Sequence, residues 1–233
     1  MPFTQAQFFG VFRDYNIAVW PVQWIINLLA VTAIGLAARG TSARAVNVIL
    51  ACLWAWMGIV YHLTFFATIN RAAVWFGIAF LIQAMVLLWQ GVVRGRIRFR
   101  ARRDLPSLLG AVLMIYALVL YPALGYVLGR RYPSTPTFGL PCPTTIFTFG
   151  MLLWAVPPLP LSVIVIPALW SLLGFSAAIS LSVTEDYGLL IAGVLAMVYI
   201  VAAWRSHRMN RDRVATTSPE APHAVPAPPP QGE

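Results

Sequence analysis

The sequence contains no lysine, and all sixteen of its basic residues are arginine. A retinal Schiff base and pyridoxal-phosphate chemistry both need a lysine amine. The missing lysine therefore excludes a rhodopsin-type photoreceptor and an enzyme that forms a covalent lysine intermediate. We predict no cofactor.

Cysteine is also scarce, since Cys52 and Cys142 are the only two in 233 residues. They fall in different apolar segments, and no cluster of cysteine and histidine has the spacing of a zinc site. We therefore predict neither a disulfide nor a metal site. The motifs of serine hydrolases, zinc proteases, P-loop proteins and dinucleotide-binding enzymes are missing as well, which favours a protein that is not an enzyme.

Charged residues make up only 10% of the chain, whereas hydrophobic residues make up 60%. An average soluble domain has about 25% charged residues, and a soluble fold could not bury this much apolar surface. The composition predicts an integral membrane protein that folds as an all-α, polytopic bundle of transmembrane helices. It gives no indication of a nucleic-acid partner.

Seven apolar segments are long enough, or nearly so, to cross about 30 Å of hydrocarbon. Residues 1–18 precede them and are predicted to form an interfacial helix, because Thr4 and Gln7 match a capping box. Residues 205–233 form a cytoplasmic tail that is first basic and then proline-rich, and we predict its proline-rich part, from Val214, to be disordered. The predicted bundle covers residues 19–204, with spans at about 19–38, 46–68, 73–93, 105–128, 144–157, 161–183 and 187–204.

The placement of arginine predicts the orientation of the spans. Six arginines lie between the third and fourth spans, and four more follow the last span. Short arginine-rich loops stay in the cytoplasm, so an even number of spans must separate the two regions. Residues 144–157 must then cross, which gives seven spans with the N-terminus outside and the C-terminus in the cytoplasm; six spans and a re-entrant half-helix are the alternative. The loop arginines either act only as a topology signal or also bind the head groups of anionic lipids, and they are Arg94, Arg96, Arg98, Arg100, Arg102 and Arg103.

This orientation collects most polar residues of the spans at the outer face. His62 is the only histidine or charged residue inside a span, which marks either a functional site or a hydrogen bond between helices. The proline-rich connection before residue 144 directs the first turn of the next helix outward, where its N–H groups can bind an anion or a polar solute; simple capping by threonine is the alternative. The predicted ligand-binding residues are Tyr61, His62, Asn70, Gln83, Tyr121, Tyr132, Cys142, Thr144, Thr145, Glu185 and Asp186.

Three runs of the sequence resemble a bacterial family of multi-span membrane proteins that is known only as a domain of unknown function. The runs are WAWMGIVYHLTFFATINRAAVWFG at 54–77, YPALGYVLGRRYPSTPTFGLPCPTTIFTFG at 121–150 and LWSLLGFSAAISLSVTEDYGL at 169–189. The resemblance extends to about residue 204. It implies a bacterial cytoplasmic membrane as the location, and it implies no reaction, ligand or cofactor.

These observations predict a transporter or binding protein for a small solute or ion, with a polar site that faces outward. Such a protein needs a water-accessible cavity at its outer end. The alternative is a non-catalytic accessory or assembly protein, which predicts a dry bundle with an exposed apolar patch. A membrane-embedded enzyme is the third possibility, and it requires His62 within about 3 Å of Cys142 or of a carboxylate.

Overall fold

The structure, a computed structural model, describes the backbone of residues 2–217 and the side chains of residues 2–209. Within these residues the chain is all-helical and has no β-strand. Six helices are long and apolar enough to cross a membrane. The predicted all-α architecture is confirmed, and the length and composition of the helices support an integral membrane protein.

Eight helices follow one another along the described part of the chain. Three of them change to the wider π-helical form over part of their length, at Met57–Phe65, Leu88–Val93 and Tyr116–Leu120. The third helix ends in a 3-10 turn, Phe66–Thr68, and another 3-10 turn, Thr184–Asp186, directly precedes the last helix. The helices are α1 (Gln5–Val19), α2 (Val22–Arg39), α3 (Ala43–Thr68), α4 (Ala73–Val93), α5 (Leu105–Val127), α6 (Pro141–Leu153), α7 (Ser162–Leu181) and α8 (Tyr187–Thr217).

Several helices begin at capping residues that are evident in the sequence. Thr4 and Gln7 form the predicted capping box of α1, with the Thr4 N–H 2.8 Å from Gln7 Oε1 and the Gln7 N–H 3.3 Å from Thr4 Oγ1. Ser42 caps α3, and Asp104 caps α5. These side chains satisfy backbone N–H groups that have no partner inside the helix, so they determine where each helix starts.

Several helix ends differ from the predicted bounds, among them the start of the first long helix and the end of the last one. The first long helix starts at Val22 rather than at residue 19, because Trp20 and Pro21 form the turn between α1 and α2. The last helix continues to Thr217, beyond the expected end at residue 204. No proline or glycine interrupts residues 205–217. The rest of the predicted tail, residues 218–233, lies outside the described residues.

Helix α6 lies at the centre of the bundle. All of its side chains are buried except that of Cys142, which is half-buried. The helix starts at Pro141, three residues before the expected start. Prolines fit its first and third positions, because the N–H groups of a first turn have no partner inside the helix and their absence costs no hydrogen bond. Its 13 residues give a length of about 20 Å. Protein therefore covers a short helix on all sides.

A pair of glycines brings α5 and α6 into close backbone contact. A Cβ atom built on Gly110 of α5 would lie 2.6 Å from the carbonyl oxygen of Gly150 in α6, and one built on Gly150 would lie 2.7 Å from that of Gly110. Beyond this contact, the Trp154 indole N–H donates to the Ser107 carbonyl over 2.7 Å. Small residues at such crossings let membrane helices pack closely.

Replacing Gly150 with alanine should lower the free energy of unfolding by about 1–3 kcal/mol, because the added methyl group overpacks the contact with Gly110. Gly35→Ala in α2 is the matched control, since nothing lies within 4 Å of a Cβ atom at that position. Thermal unfolding of both variants in detergent measures the difference. Equal melting temperatures would contradict the close contact between α5 and α6.

The two ends of the bundle differ in charge. One end, which we call the arginine end, consists of the connection 94–104 and the turn 154–160, and the Arg100 N–H donates to the Trp154 carbonyl over 2.9 Å. The opposite end, which we call the cavity end, carries α1 and the connection 128–140. Helix α6 extends from the cavity end to the arginine end.

The arginine connection has a fixed conformation rather than a loose one. Ile97 and Phe99 are buried, whereas Arg96, Arg98 and Arg100 between and beside them are exposed. This alternation is typical of an extended segment, in which successive side chains point to opposite faces. Three arginine side chains therefore project from one face of the connection.

Asp104 fixes the end of this connection at the start of α5. Its carboxylate accepts hydrogen bonds from Arg102 Nε over 2.7 Å and from the Ser107 N–H over 2.9 Å. These hydrogen bonds lower the pKa of Asp104 to about 2. Their contribution to stability is complete above the usual aspartate pKa of about 4 and is lost as the pH falls through about 2.

Candidate functional site

A cavity of about 220 Å³ lies at the cavity end of the bundle. It lies under α1 and between α3, α5, α6 and α7, and its walls are mostly aromatic and apolar. Five of the eleven predicted ligand-binding residues line it, namely Tyr61, Asn70, Tyr121, Cys142 and Asp186. Further walls come from the aromatic side chains Phe3, Phe8, Phe12, Phe66, Phe76 and Trp170.

Irregular helix geometry positions the two tyrosines of the cavity. Tyr61 lies in the π-helical segment Met57–Phe65 of α3, and Tyr121 follows directly on the π-helical turn Tyr116–Leu120 of α5. Both tyrosines are almost fully buried. Single π-helical turns are found often at functional sites, where the extra residue turns a side chain to a new direction.

Asp186 is a buried carboxylate without a basic partner. The Tyr121 hydroxyl donates to it, and the Cys142 thiol lies beside it. Only 3% of the residue is exposed, and within residues 2–209 it forms no ion pair. An ionised carboxylate in such a place is costly unless a cation or several hydrogen-bond donors compensate it. Asp186 is therefore the most unusual polar group of the cavity.

The charge of Glu185, the sequence neighbour of Asp186, is compensated by an arginine of the same chain. Arg130 Nε lies 3.0 Å from Glu185 Oε1, and a second guanidinium nitrogen contacts the other oxygen, so the pair is bidentate. The Glu185 side chain is fully buried, and it does not line the cavity. Thus the two neighbouring carboxylates have different partners, and only Asp186 faces the cavity.

His62 lies next to the cavity wall without a hydrogen bond. It is fully buried, and among the described residues neither ring nitrogen has a partner. Aromatic rings surround it, and its centroid lies 4.6 Å from that of Phe80 and 5.1 Å from that of Trp170. The Trp170 indole N–H at the cavity wall contacts the Cys142 thiol and has no oxygen or nitrogen acceptor among the described residues.

This arrangement bears on the catalytic and metal-binding hypotheses. His62 makes no hydrogen bond to Cys142 or to either carboxylate, so the condition stated for a catalytic histidine is not met. In the part of the chain with described side chains, no group of three or more His, Cys, Asp and Glu residues is placed to hold a metal ion.

The two threonines of the predicted site form hydrogen bonds with nearby backbone groups. Thr144 Oγ1 accepts a hydrogen bond from the Gly139 N–H over 3.2 Å, and the Thr145 hydroxyl donates to the Pro141 carbonyl over 2.7 Å. Both side chains are fully buried and do not line the cavity. Their hydroxyls therefore bond to nearby backbone groups, but neither threonine caps α6, because the N-cap residue is Leu140 and no side chain caps this helix.

Gln83 and Tyr132 lie away from the cavity. The Gln83 amide donates to the Val163 carbonyl over 2.9 Å and joins α4 to α7. The Tyr132 hydroxyl donates to the Asn16 carbonyl over 3.1 Å and joins the connection 128–140 to α1. Both side chains make contacts between elements, so their polar atoms hold the fold around the cavity.

Helix α1 and the connection 128–140 together cover the cavity. Tyr15 of α1 is fully buried, and its hydroxyl donates to the Gly139 carbonyl over 3.0 Å while accepting from the Trp56 indole N–H over 2.8 Å. At the start of α1, the Gln5 amide donates to the Leu181 carbonyl over 2.7 Å. These contacts fix the cover to α3 and α7.

Sequence reasoning did not identify two residues that complete the site. Trp170 lies in a long apolar run, where no local signal separates a cavity-lining tryptophan from one that faces lipid. Arg130 gives no local signal either, because its partner Glu185 is distant in sequence. In both cases the informative contact is tertiary.

The comparisons with known proteins identify a family and add no reaction. No curated protein and no solved structure matches the sequence. The model of a family of unknown function, DUF6064, matches residues 5–211, which include α1 and most of the helical bundle. The match confirms the predicted membership of an uncharacterised family. Since it covers most of the chain, the protein belongs to the DUF6064 family.

Proposed function

We propose that the chain crosses the bacterial cytoplasmic membrane seven times, with α6 as a short crossing. The arginine end then lies in the cytoplasm, and the cavity end faces outward. The extension of α6 from one end of the bundle to the other supports this topology. The charge distribution supports it as well, because twelve arginines fall on the proposed inner side and four on the outer side.

We further propose that the protein binds a small solute in the cavity, as a transporter or a membrane binding protein does. The observation that carries this proposal is a group of polar side chains at and beside one cavity that lack a full set of partners among the described residues. The Asp186 carboxylate has no basic partner, and the His62 ring beside the cavity has no hydrogen bond. Buried polar groups in native structures nearly always have partners, and the exceptions call for an unseen ligand or water.

The helices around the cavity contain features that favour a change of shape. Two π-helical segments flank it, at Met57–Phe65 and Tyr116–Leu120, and Pro167 interrupts α7 one turn before Trp170. Proline and π-helical turns leave backbone groups that neighbouring elements must satisfy, and they are the usual places where a membrane helix bends. These features support transport over static binding.

Thiol labelling of Cys142 tests the binding site and the orientation together. In intact cells that carry Cys52→Ser, a membrane-impermeant methanethiosulfonate should modify Cys142, and one or more small solutes should slow the reaction. Modification only after permeabilisation would contradict the outward orientation. A thiol that reacts in neither condition would contradict a water-accessible cavity and would favour the accessory-protein alternative.

Two further cysteine variants calibrate this experiment in the background lacking both native cysteines. Arg71→Cys places an exposed thiol at the cavity end, and Arg100→Cys places one at the arginine end. Arg71→Cys should react in intact cells, and Arg100→Cys should react only after permeabilisation. Solutes should protect neither variant, because both positions lie outside the cavity.

We also propose that the arginine end contacts the head groups of anionic lipids. The fixed, parallel projection of Arg96, Arg98 and Arg100 supports this role, since each arginine near an anionic surface contributes about 1 kcal/mol. The triple variant with glutamine at these positions should retain less anionic lipid on purification than the wild type. Equal retention would contradict the proposal.

A further inference from the structure

We propose that the solute bound in the cavity is a small organic cation, such as a primary amine or a quaternary ammonium ion. This inference rests on the proposed solute-binding function and specifies the chemistry of its ligand. Two independent features carry it: the charge at the floor of the cavity and the aromatic character of its walls.

The charge of Asp186 in the cavity favours a cation as the ligand. Among the described residues near the cavity, Glu185 and Arg130 form a bidentate pair and cancel each other, whereas Asp186 meets only the Tyr121 hydroxyl and the Cys142 thiol. Ionised Asp186 therefore leaves one negative charge without compensation at a buried position. A cationic ligand would supply the missing partner, as buried charges require.

The aromatic walls favour a cation as well. Rings from α1, α3, α4 and α7 surround the cavity, among them Phe12, Phe66, Phe76 and Trp170. The face of an aromatic ring is electronegative and attracts an ammonium group, which is how aromatic cages select quaternary amines. A cavity of about 220 Å³ suits a compact ion of this kind better than a long chain.

The same geometry disfavours an anion, which was one of the ligand classes considered for the start of α6. Pro141 and Pro143 carry no N–H, and the Thr144 N–H donates to the Leu140 carbonyl. Of the first turn, only the Cys142 N–H remains to receive an anion. An anion would also lie beside the Asp186 carboxylate.

Three solutes that share a tert-butyl group provide the test, because they differ mainly in charge: tert-butylammonium, tert-butanol and pivalate. Their protection of Cys142 from methanethiosulfonate is measured on the full-length protein in intact cells, in the Cys52→Ser background. We expect tert-butylammonium to protect well, tert-butanol weakly and pivalate not at all. Protection by tert-butanol or pivalate at the same concentration as the cation would overturn the cation assignment but keep the solute-binding function.

Substitution of the carboxylate makes the test specific. Asp186→Asn should raise the concentration of tert-butylammonium needed for half-protection at least about tenfold, because it removes a buried charge partner. Asp14→Asn is the matched control, since Asp14 is an exposed carboxylate at the same end that pairs with Arg13, and it should change nothing. Equal protection in Asp186→Asn and the wild type would overturn the inference.

A second variant keeps the inference falsifiable if Asp186→Asn fails to fold. Phe66→Leu keeps an apolar side chain but removes one aromatic ring from the cavity wall, so protection by the cation should weaken about threefold while protection by tert-butanol stays constant. A parallel loss for both solutes would overturn the aromatic part of the argument. Failure of all three solutes to protect a thiol that labels rapidly would overturn the cation assignment. The solute-binding function itself is overturned only by a thiol that fails to react or that no solute of any class protects.

Discussion

Replacing Arg130 with alanine should destabilise the protein by about 3 kcal/mol or more, the cost of removing one partner from a buried ion pair. Glu185 is fully buried, and its two carboxylate oxygens receive both of their hydrogen bonds from the Arg130 guanidinium. Without that guanidinium, the carboxylate is left in an apolar place with no cation. Thermal unfolding in detergent measures the effect, together with the yield of monodisperse protein.

The neighbouring arginine gives a matched control for this prediction. Arg131 is exposed, and its guanidinium lies 5.3 Å from the Tyr126 ring without forming an ion pair among the described residues. Arg131→Ala should therefore change the free energy of unfolding by less than about 1 kcal/mol. Equal stability of the two alanine variants would show that the ion pair with Glu185 does not contribute to stability as its burial indicates.

A double variant separates the energy of the ion pair between Arg130 and Glu185 from the contribution of each side chain alone. Glu185→Gln removes the charge that Arg130→Ala leaves uncompensated, so the double variant should be more stable than Arg130→Ala alone. Arg130→Lys should lie between the wild type and Arg130→Ala, because an ammonium keeps the charge but cannot form the bidentate contact. Strict additivity of the two single changes would argue against direct coupling.

Replacing Asn16 with alanine should destabilise the protein by about 2–3 kcal/mol, because it leaves several buried polar groups without partners. The Asn16 amide donates to the carbonyls of Pro133 and Thr135 over 2.6 and 2.8 Å, and its oxygen accepts from Gln23 and Thr137 over 2.7 and 2.8 Å. This single side chain thus joins α1, α2 and the connection 128–140.

The loss of Asn16 should also change access to the cavity. Since the connection 128–140 and α1 cover the cavity, a looser cover should raise the rate at which Cys142 is labelled. Asn27→Ala is the matched control, because the Asn27 amide donates only to the Gln23 carbonyl one turn earlier in the same helix. An unchanged labelling rate in Asn16→Ala would contradict its role in holding the cover.

Much of the helical architecture was predictable because its causes are local. The Thr4 capping box, the apolar runs and the prolines at the start of α6 all act within a few residues, so the sequence itself reveals them. The observed helix bounds differ from the predicted ones for local reasons as well. Pro21 delays the start of α2, and no proline or glycine ends α8 at residue 204. Helix packing left these elements largely where the sequence predicted them.

The candidate site was predictable only in part. Residues such as Tyr61, Tyr121 and Asp186 were identified as unusual polar groups near one face, and they line one cavity in the structure. Thr144 and Thr145 belonged to the same prediction, yet their hydroxyls bond to nearby backbone groups. A sequence shows which side chains have polar atoms, but it does not show which of those atoms find a partner elsewhere in the fold.

Glu185 and Asp186 illustrate the division between sequence and tertiary structure. The sequence by itself determined the helical fold and the membrane character, because apolar length and helix capping depend on neighbouring residues. It presented the two carboxylates as equivalent, adjacent acids at the start of the last helix. Only the tertiary structure assigned Arg130 to one of them and left the other facing an aromatic cavity, because ion pairing and burial depend on residues that are distant along the chain.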